Sequence, residues 1–324
     1  MLLSLEHIRE AAHGALSVDK KNGFFCFERM NEQVWNTYAP NEYQIRECRT
    51  TAGVRLEFYT DSDYIAFGYI AHKGTNRNFY FFDLLVDGIM TAHLGEIRST
   101  LRKGDLKIAL PEGRHKVSLY LPNTTRVELS YVELSDGASF EGFTKGMKLL
   151  CLGDSITQGY DAEHSSMSYA NQLADVLGAE MINHALAGDH FRIKRVVRLN
   201  EFIPDIITMA YGTNDMTCDS YETFTTEMSG YIKKLAETYP ESKIFVITPL
   251  WRLDKEKTVC GMTYEEGCAL IAAEASKYSN MIVIDGMTLT PHVPEFYRDL
   301  YLHPNDMGFS VYTSNLYLEI TKYL

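Results

Sequence analysis

The chain has 324 residues, a formal net charge of -12 and a pI near 5.3, so it is long enough for two domains that each bury a core and too poor in Lys and Arg to coat a polyanion. A nucleic-acid partner is not expected on that ground, and no apolar stretch reaches the length of a membrane span. The opening Met1-Leu2-Leu3-Ser4-Leu5-Glu6-His7 lacks the cationic and apolar segments of a secretory signal, and the six cysteines are scattered without metal-ligand spacing; reduced thiols in a cytoplasmic protein, with no structural zinc, are the expectation.

From about Gly23 to Leu134, short aromatic and β-branched runs alternate with polar turns. They predict strands at Phe24–Glu28, Val54–Tyr59, Tyr64–Ile70, Phe79–Val86, Leu106–Leu110, Lys116–Leu121 and Val127–Leu134, with turns at Asp87-Gly88 and Pro111-Glu112-Gly113. Strands at this spacing predict a β-sandwich. A Gly-bearing link, Ser135 to Gly146, then separates an N-terminal domain over 1–145 from a second domain over 146–324.

In the second half the periodicity changes. Apolar runs at Leu149–Leu152, Met181–Asn183, Ile206–Ala210, Ile244–Thr248 and Met281–Ile284 predict buried parallel strands, and helical patterns follow at Ser168–Leu177, Ile193–Asn200, Tyr221–Tyr239, Tyr264–Tyr278 and after Asn305. This is a three-layer α/β sheet of flavodoxin-like type. Right-handed crossovers return each strand to the same end, so Ser155, Gly188 and Asn214, each a few residues past a strand, should share one rim.

Three blocks carry the chemistry: Gly153-Asp154-Ser155-Ile156-Thr157-Gln158-Gly159, Gly212-Thr213-Asn214-Asp215 and His303-Pro304-Asn305. Taken alone, Ser155 reads equally as a nucleophile and as a helix cap or phosphate-cradling turn, Asn214 as a turn residue and His303 as a structural histidine. The chain holds no Gly-x-Ser-x-Gly elbow, P-loop or Gly-x-Gly-x-x-Gly fingerprint.

Taken together, the blocks resemble those of the SGNH hydrolases, the GDSL esterase/lipase superfamily, over about residues 147 to 324. The resemblance implies that Ser155 is the nucleophile and that its amide is one oxyanion donor. It implies Gly188 as the second donor, since Asn183-His184-Ala185-Leu186-Ala187-Gly188 matches the family's glycine block with Ala185 where many relatives have glycine. Asn214 is then the side-chain donor and His303 the base. The family's acid stands three residues before the histidine, a position held here by Leu300; the nearest carboxylate, Asp299, is one residue further back. Either the extra residue is absorbed and Asp299 orients His303, which is the expectation, or a backbone carbonyl takes over and leaves a Ser-His dyad. Asp154 and Asp215 are expected to bond within their own turns, His184 and His190 to be structural, and Trp251 to be a pocket wall or an ordinary aromatic.

The β-rich front half also resembles the jelly-roll-like module that precedes the hydrolase domain in certain carbohydrate esterases. The resulting expectation is a serine esterase, free of metal and cofactor, that removes small O-acyl groups, chiefly acetyl, from a sugar. A thioesterase or lysophospholipase on the same scaffold, and a non-catalytic carbohydrate-binding protein with a degenerate hydrolase domain, are the alternatives.

Overall fold

In the first half of the chain, alternating apolar residues build two five-stranded antiparallel sheets. One runs in the order Ala12–His13, Arg55–Thr60, His115–Tyr120, Tyr80–Val86, Ile89–Glu96, and the other Ser17–Lys21, Phe24–Glu28, Val127–Leu134, Tyr64–Ala71, Arg102–Ala109. Leu56, Phe58, Phe82 and Leu84 of the first meet Phe67, Leu129 and Val132 of the second, with the Phe67 and Phe82 rings 5.2 Å apart. Each such fully buried side chain contributes roughly 1.5–3 kcal/mol relative to exposure, so the sandwich is held by the space between its sheets. The computed structural model describes residues 1–73, 77, 79–97 and 102–324. Its two compact units are Met1–Asn31 with Asn41–Lys145 and His164–Ser166, and Glu32–Pro40 with Gly146–Glu163 and Met167–Leu324.

The second unit is built on one five-stranded parallel sheet in the order Ala179–Asn183, Met147–Gly153, Ile206–Ala210, Lys243–Ile247, Met281–Ile284. This is the flavodoxin-like order 2-1-3-4-5, and both faces are covered. Leu149, Cys151, Phe245 and Ile247 pack with Tyr169–Val176 and Asp306–Thr321, where Tyr169 lies 4.4 Å from Tyr312. Their strand neighbours Leu150, Ile244 and Val246 are equally buried but point to the opposite face, since side chains alternate along a strand. The helices Tyr221–Thr238 and Tyr264–Ala275 bury Phe224, Met228, Ile232 and Ile271.

One helix expected from the sequence is absent: Ile193–Asn200 forms only a 3-10 turn over Ile193–Arg195. Side chains from the long helix and the turn after it take the backbone groups that a helix would need. Glu227 accepts from the Ile193 amide, Lys234 donates to the Ile193 carbonyl, and the Tyr239 hydroxyl accepts from the Leu199 amide while donating to the Val197 carbonyl. Three strands at sheet edges escaped the sequence reading: Ala12–His13, which is only two residues long, and Ser17–Lys21 and Ile89–Glu96, which have little buried face. Among the described residues no helix is long and apolar enough to cross a membrane.

Candidate active site

The central strand Met147–Gly153 ends in a turn that only glycine permits. A Cβ on Gly153 would lie 2.2 Å from Thr157 Oγ1 and 2.9 Å from the Ala210 carbonyl, inside any allowed contact. Asp154 follows with extended backbone and caps the helix Ser155–Gln158, its Oδ1 accepting from the Ile156 amide at 3.0 Å. Burial pushes the Asp154 carboxyl up to about 6, against the Ile156 N–H and the charges of His303 and Arg252. Ser155 is thereby the first residue of a helix, the position whose N–H has no intrahelical acceptor.

The Ser155 hydroxyl meets His303 Nε2 at 2.8 Å, and His303 Nδ1 meets Asp299 Oδ2 at 2.7 Å. The residue that separates this chain from the three-residue spacing, Leu300, is absorbed in the left-handed region at φ 64 and is 58% exposed. For a branched side chain that conformation costs about 1–2 kcal/mol. The turn is held because Asp299 Oδ1 accepts the amides of Tyr301 (3.1 Å), Leu302 (2.8 Å) and His303 (3.1 Å). Burial alone would raise the Asp299 carboxyl; hydrogen bonds from the His303 ring and the Leu302 and Tyr301 amides, with the His303 charge, outweigh it and hold the group at about 2. A carboxylate so fixed stays ionised opposite Nδ1, which favours the tautomer with its proton on Nδ1 and a free lone pair on Nε2.

The sequence reading missed a second carboxylate here. Asp161 is buried, adopts φ 67, and brings Oδ2 to 3.6 Å from His303 Nδ1, an ion-pair separation rather than a hydrogen bond. Its only sequence signal is that Asp tolerates the left-handed conformation better than most residues.

On the neighbouring strand end, Gly188 has φ 69, and a Cβ there would meet nothing within 4 Å, so glycine is required by backbone conformation and not by space. Neither the Gly188 amide nor the Ser155 amide has an acceptor among the described residues. Asn214 is the second residue of the helix Thr213–Cys218, and its Nδ2 donates one proton to the Asp189 carbonyl at 3.0 Å, leaving the other available. The loop it touches is pinned by the buried Asp189 carboxylate, which accepts from Tyr38 Oη (3.0 Å) and Tyr211 Oη (3.3 Å) and pairs with Arg195.

Asp154 bonds within its own turn, but Asp215 reaches further than expected: its Oδ1 accepts the Phe191 amide at 2.9 Å and so ties the Asn214 helix to the Gly188 loop. Burial pushes the Asp215 carboxyl up to about 8, opposed by the Phe191 N–H and Arg192 and reinforced by Asp219. Below that value the folded chain holds a proton that the unfolded chain has released above about pH 4, so stability falls as pH rises from about 4 to 8 and then levels. Asp215→Asn removes this slope. In thermal melts the variant should gain on the wild type across that window and hold a constant difference above it; a difference independent of pH would contradict the assignment.

His184 is buried, with its amide bonded to the Cys151 carbonyl. His190 lies 3.1 Å from Asp219, which Arg192 also grips at 2.9 and 3.0 Å. Trp251 is buried, stacked on His292 with ring centroids 5.6 Å apart and packed at a tilt against Tyr297 at 5.1 Å. Among the described residues, three groups could offer metal-ligand atoms within 4.8 Å of one another: Asp161/Asp299/His303, His190/Asp215/Asp219 and Asp83/His93/His164. The carboxylates that anchor them are committed to protein donors: Asp299 and Asp219 as above, and Asp83 to His93 Nδ1 and to the Ser166 amide and hydroxyl.

Residues 151–311 match the model of the GDSL-like Lipase/Acylhydrolase family. Among solved structures, the chain is similar to the salicylyl-acyltransferase SsfX3 of a tetracycline biosynthetic pathway, at 24% identity over 97% of this chain and 95% of that one with a TM-score of 0.77. A GDSL-like lipase from Bacteroides ovatus, so described provisionally, shares 17% identity over 99% and 97% with a TM-score of 0.76. A family two carbohydrate esterase from Clostridium thermocellum, in complex with cellohexaose, shares 18% over 84% and 93% with a TM-score of 0.63. No curated protein sequence matches the chain.

Proposed function

We propose that this chain, whose residues 151–311 belong to the GDSL-like lipase/acylhydrolase family, is an SGNH-type ester hydrolase that removes small O-acyl groups, acetyl above all, from a carbohydrate through an acyl-enzyme on Ser155. The observation that carries the reading is the unbroken line of hydrogen bonds from Asp299 through His303 to Ser155, at 2.7 and 2.8 Å. A carboxylate, an imidazole and a hydroxyl in that order are the parts of an activated nucleophile.

In this mechanism Ser155 Oγ attacks the acyl carbon and gives its proton to His303 Nε2, while Asp299 stabilises the imidazolium. The negative charge that develops on the former carbonyl oxygen is held by the Ser155 and Gly188 amides and by Asn214 Nδ2. His303 returns the proton to the departing sugar hydroxyl, and a water, deprotonated by the same ring, releases the acid and restores Ser155. Dipoles fixed before the reaction stabilise the oxyanion without reorganising. Asn214→Ala should therefore lower kcat by about a hundred- to a thousandfold with little change in KM, as read from steady-state hydrolysis of p-nitrophenyl acetate; a loss under tenfold would remove Asn214 from the oxyanion site.

Support for a sugar alcohol comes from the fold shared with family two carbohydrate esterases. The salicylyl-acyltransferase has this fold as well, and an acyl-enzyme can pass its acyl group to an alcohol in place of water. The test is a panel: acetylated mono- and oligosaccharides against longer acyl esters, acyl thioesters and lysophospholipid, each with and without an added alcohol acceptor. Preference for acetyl sugars with release of free acid is expected. Preference for thioester or lysophospholipid, transfer that outruns hydrolysis, or sugar binding without turnover would each replace the proposed reaction.

A further inference from the structure

The first unit contains a cavity of about 490 Å³ whose wall includes Arg46, Arg49, Lys73 and Arg126, with His72 and Thr124 between them. In a chain of net charge -12, four cationic side chains converging on one concavity is a local reversal of sign. Neither Arg46 nor Lys73 forms an ion pair or side-chain hydrogen bond within the described residues, and the Thr124 hydroxyl, on a residue only 3% exposed, has no partner there. Unlike-charge groups do stand nearby. Glu42 shares the wall, Glu128 lies 2.5 Å from Arg126 and 3.4 Å from His72, and Glu28 sits close enough to Arg126 and Arg49 to feel both charges. Burial raises the Glu28 carboxyl, with those arginines opposing, which weakens its claim on them. Glu128 orients Arg126 without touching Arg46 or Lys73.

We propose that this cavity binds an anionic ligand of sugar size through a carboxylate or phosphate group held by Arg46, Arg49, Arg126 and Lys73, with Thr124 as a neutral donor. Guanidinium groups match the two oxygens of such groups in a fork geometry that an ammonium alone cannot. A volume near 490 Å³ falls in the range of small-ligand sites. The scarcity of Lys and Arg elsewhere excludes a long polyanion but not a single charged group, so the ligand class is a small molecule bearing one carboxylate or phosphate, for which acidic and phosphorylated sugars serve as probes, rather than a polymer of phosphates. The inference is independent of the reading of Ser155, because every group it uses lies in the first unit.

The test titrates the full chain with glucuronate, glucose 6-phosphate, inorganic phosphate and, as the uncharged control, glucose, by calorimetry at low and moderate salt. Saturable binding of at least one anionic probe is expected, with none for glucose. The double variant Arg46→Gln/Lys73→Gln should weaken that binding by about tenfold or more while p-nitrophenyl acetate hydrolysis and the melting temperature stay unchanged, as befits two side chains without partners among the described residues. Binding of glucuronate alone identifies the ligand as an acidic sugar; binding that needs phosphate identifies a phosphorylated one. Absence of saturable binding by all three anions at tens of millimolar, equal binding of glucose, or binding undiminished in the double variant would overturn the proposal.

Discussion

Replacing Ser155 with alanine should lower kcat for p-nitrophenyl acetate by about 10⁵- to 10⁶-fold, leaving only the about 10³- to 10⁴-fold acceleration that an oxyanion site and binding supply without a nucleophile. KM should change little, because the hydroxyl bonds to His303 and not to a groove that recognises substrate. The substitution also removes one hydrogen bond from a partly buried pair, so the stability loss is limited to about 0.5–1.5 kcal/mol. Steady-state kinetics and a thermal melt on the same preparation separate the two effects. A variant that retains a tenth of the activity would exclude Ser155 as the nucleophile, whatever its position.

The second large effect is expected at Asp299. Asp299→Asn keeps an oxygen for the Tyr301, Leu302 and His303 amides but presents an NH₂ to His303 Nδ1. That amide forces the ring toward the tautomer with its proton on Nε2, where it cannot accept from Ser155. By analogy with the same substitution in serine proteases, kcat should fall by about 10³- to 10⁴-fold. Asp161, at 3.6 Å from the same nitrogen, would set the upper end of the residual activity. Asp299→Ala should add a stability loss of about 2–3 kcal/mol, because it strands the amides that the carboxylate gathers. If Asp299→Asn is fully active while Asp299→Ala is merely unstable, the acid only shapes the turn and His303 works as the base of a dyad. The carboxyl titrates at about 2 in the fold and near 3.9 unfolded. Its contribution to stability is thus complete above about pH 4 and is lost as pH falls through about 2.

Elements that carry their own burial pattern were legible from sequence: Val127–Leu134, Ile206–Ala210 and Met281–Ile284 have the observed bounds. What failed was decided by partners distant in the chain. The Ile193–Asn200 pattern is helical in period, yet Glu227, Lys234 and Tyr239 take its backbone groups. Ile89–Glu96 is mostly exposed and so shows no alternation to read. In the site, spacing announced one residue too many between Asp299 and His303. Only coordinates reveal that Leu300 takes it up at φ 64. The link from Asp215 to the Phe191 amide and the approach of Asp161 to His303 span 24 and 142 residues of sequence respectively, and no local pattern encodes either.

The central claim is a covalent acyl group on Ser155, and rapid-mix trapping with p-nitrophenyl acetate followed by intact-mass and peptide analysis tests it most directly. A burst of one p-nitrophenolate per chain is predicted, with a single acetyl group on the peptide that contains Ser155 and neither burst nor label in Ser155→Ala. A burst that persists in the variant, or an acetyl group carried by any other residue, would contradict the account.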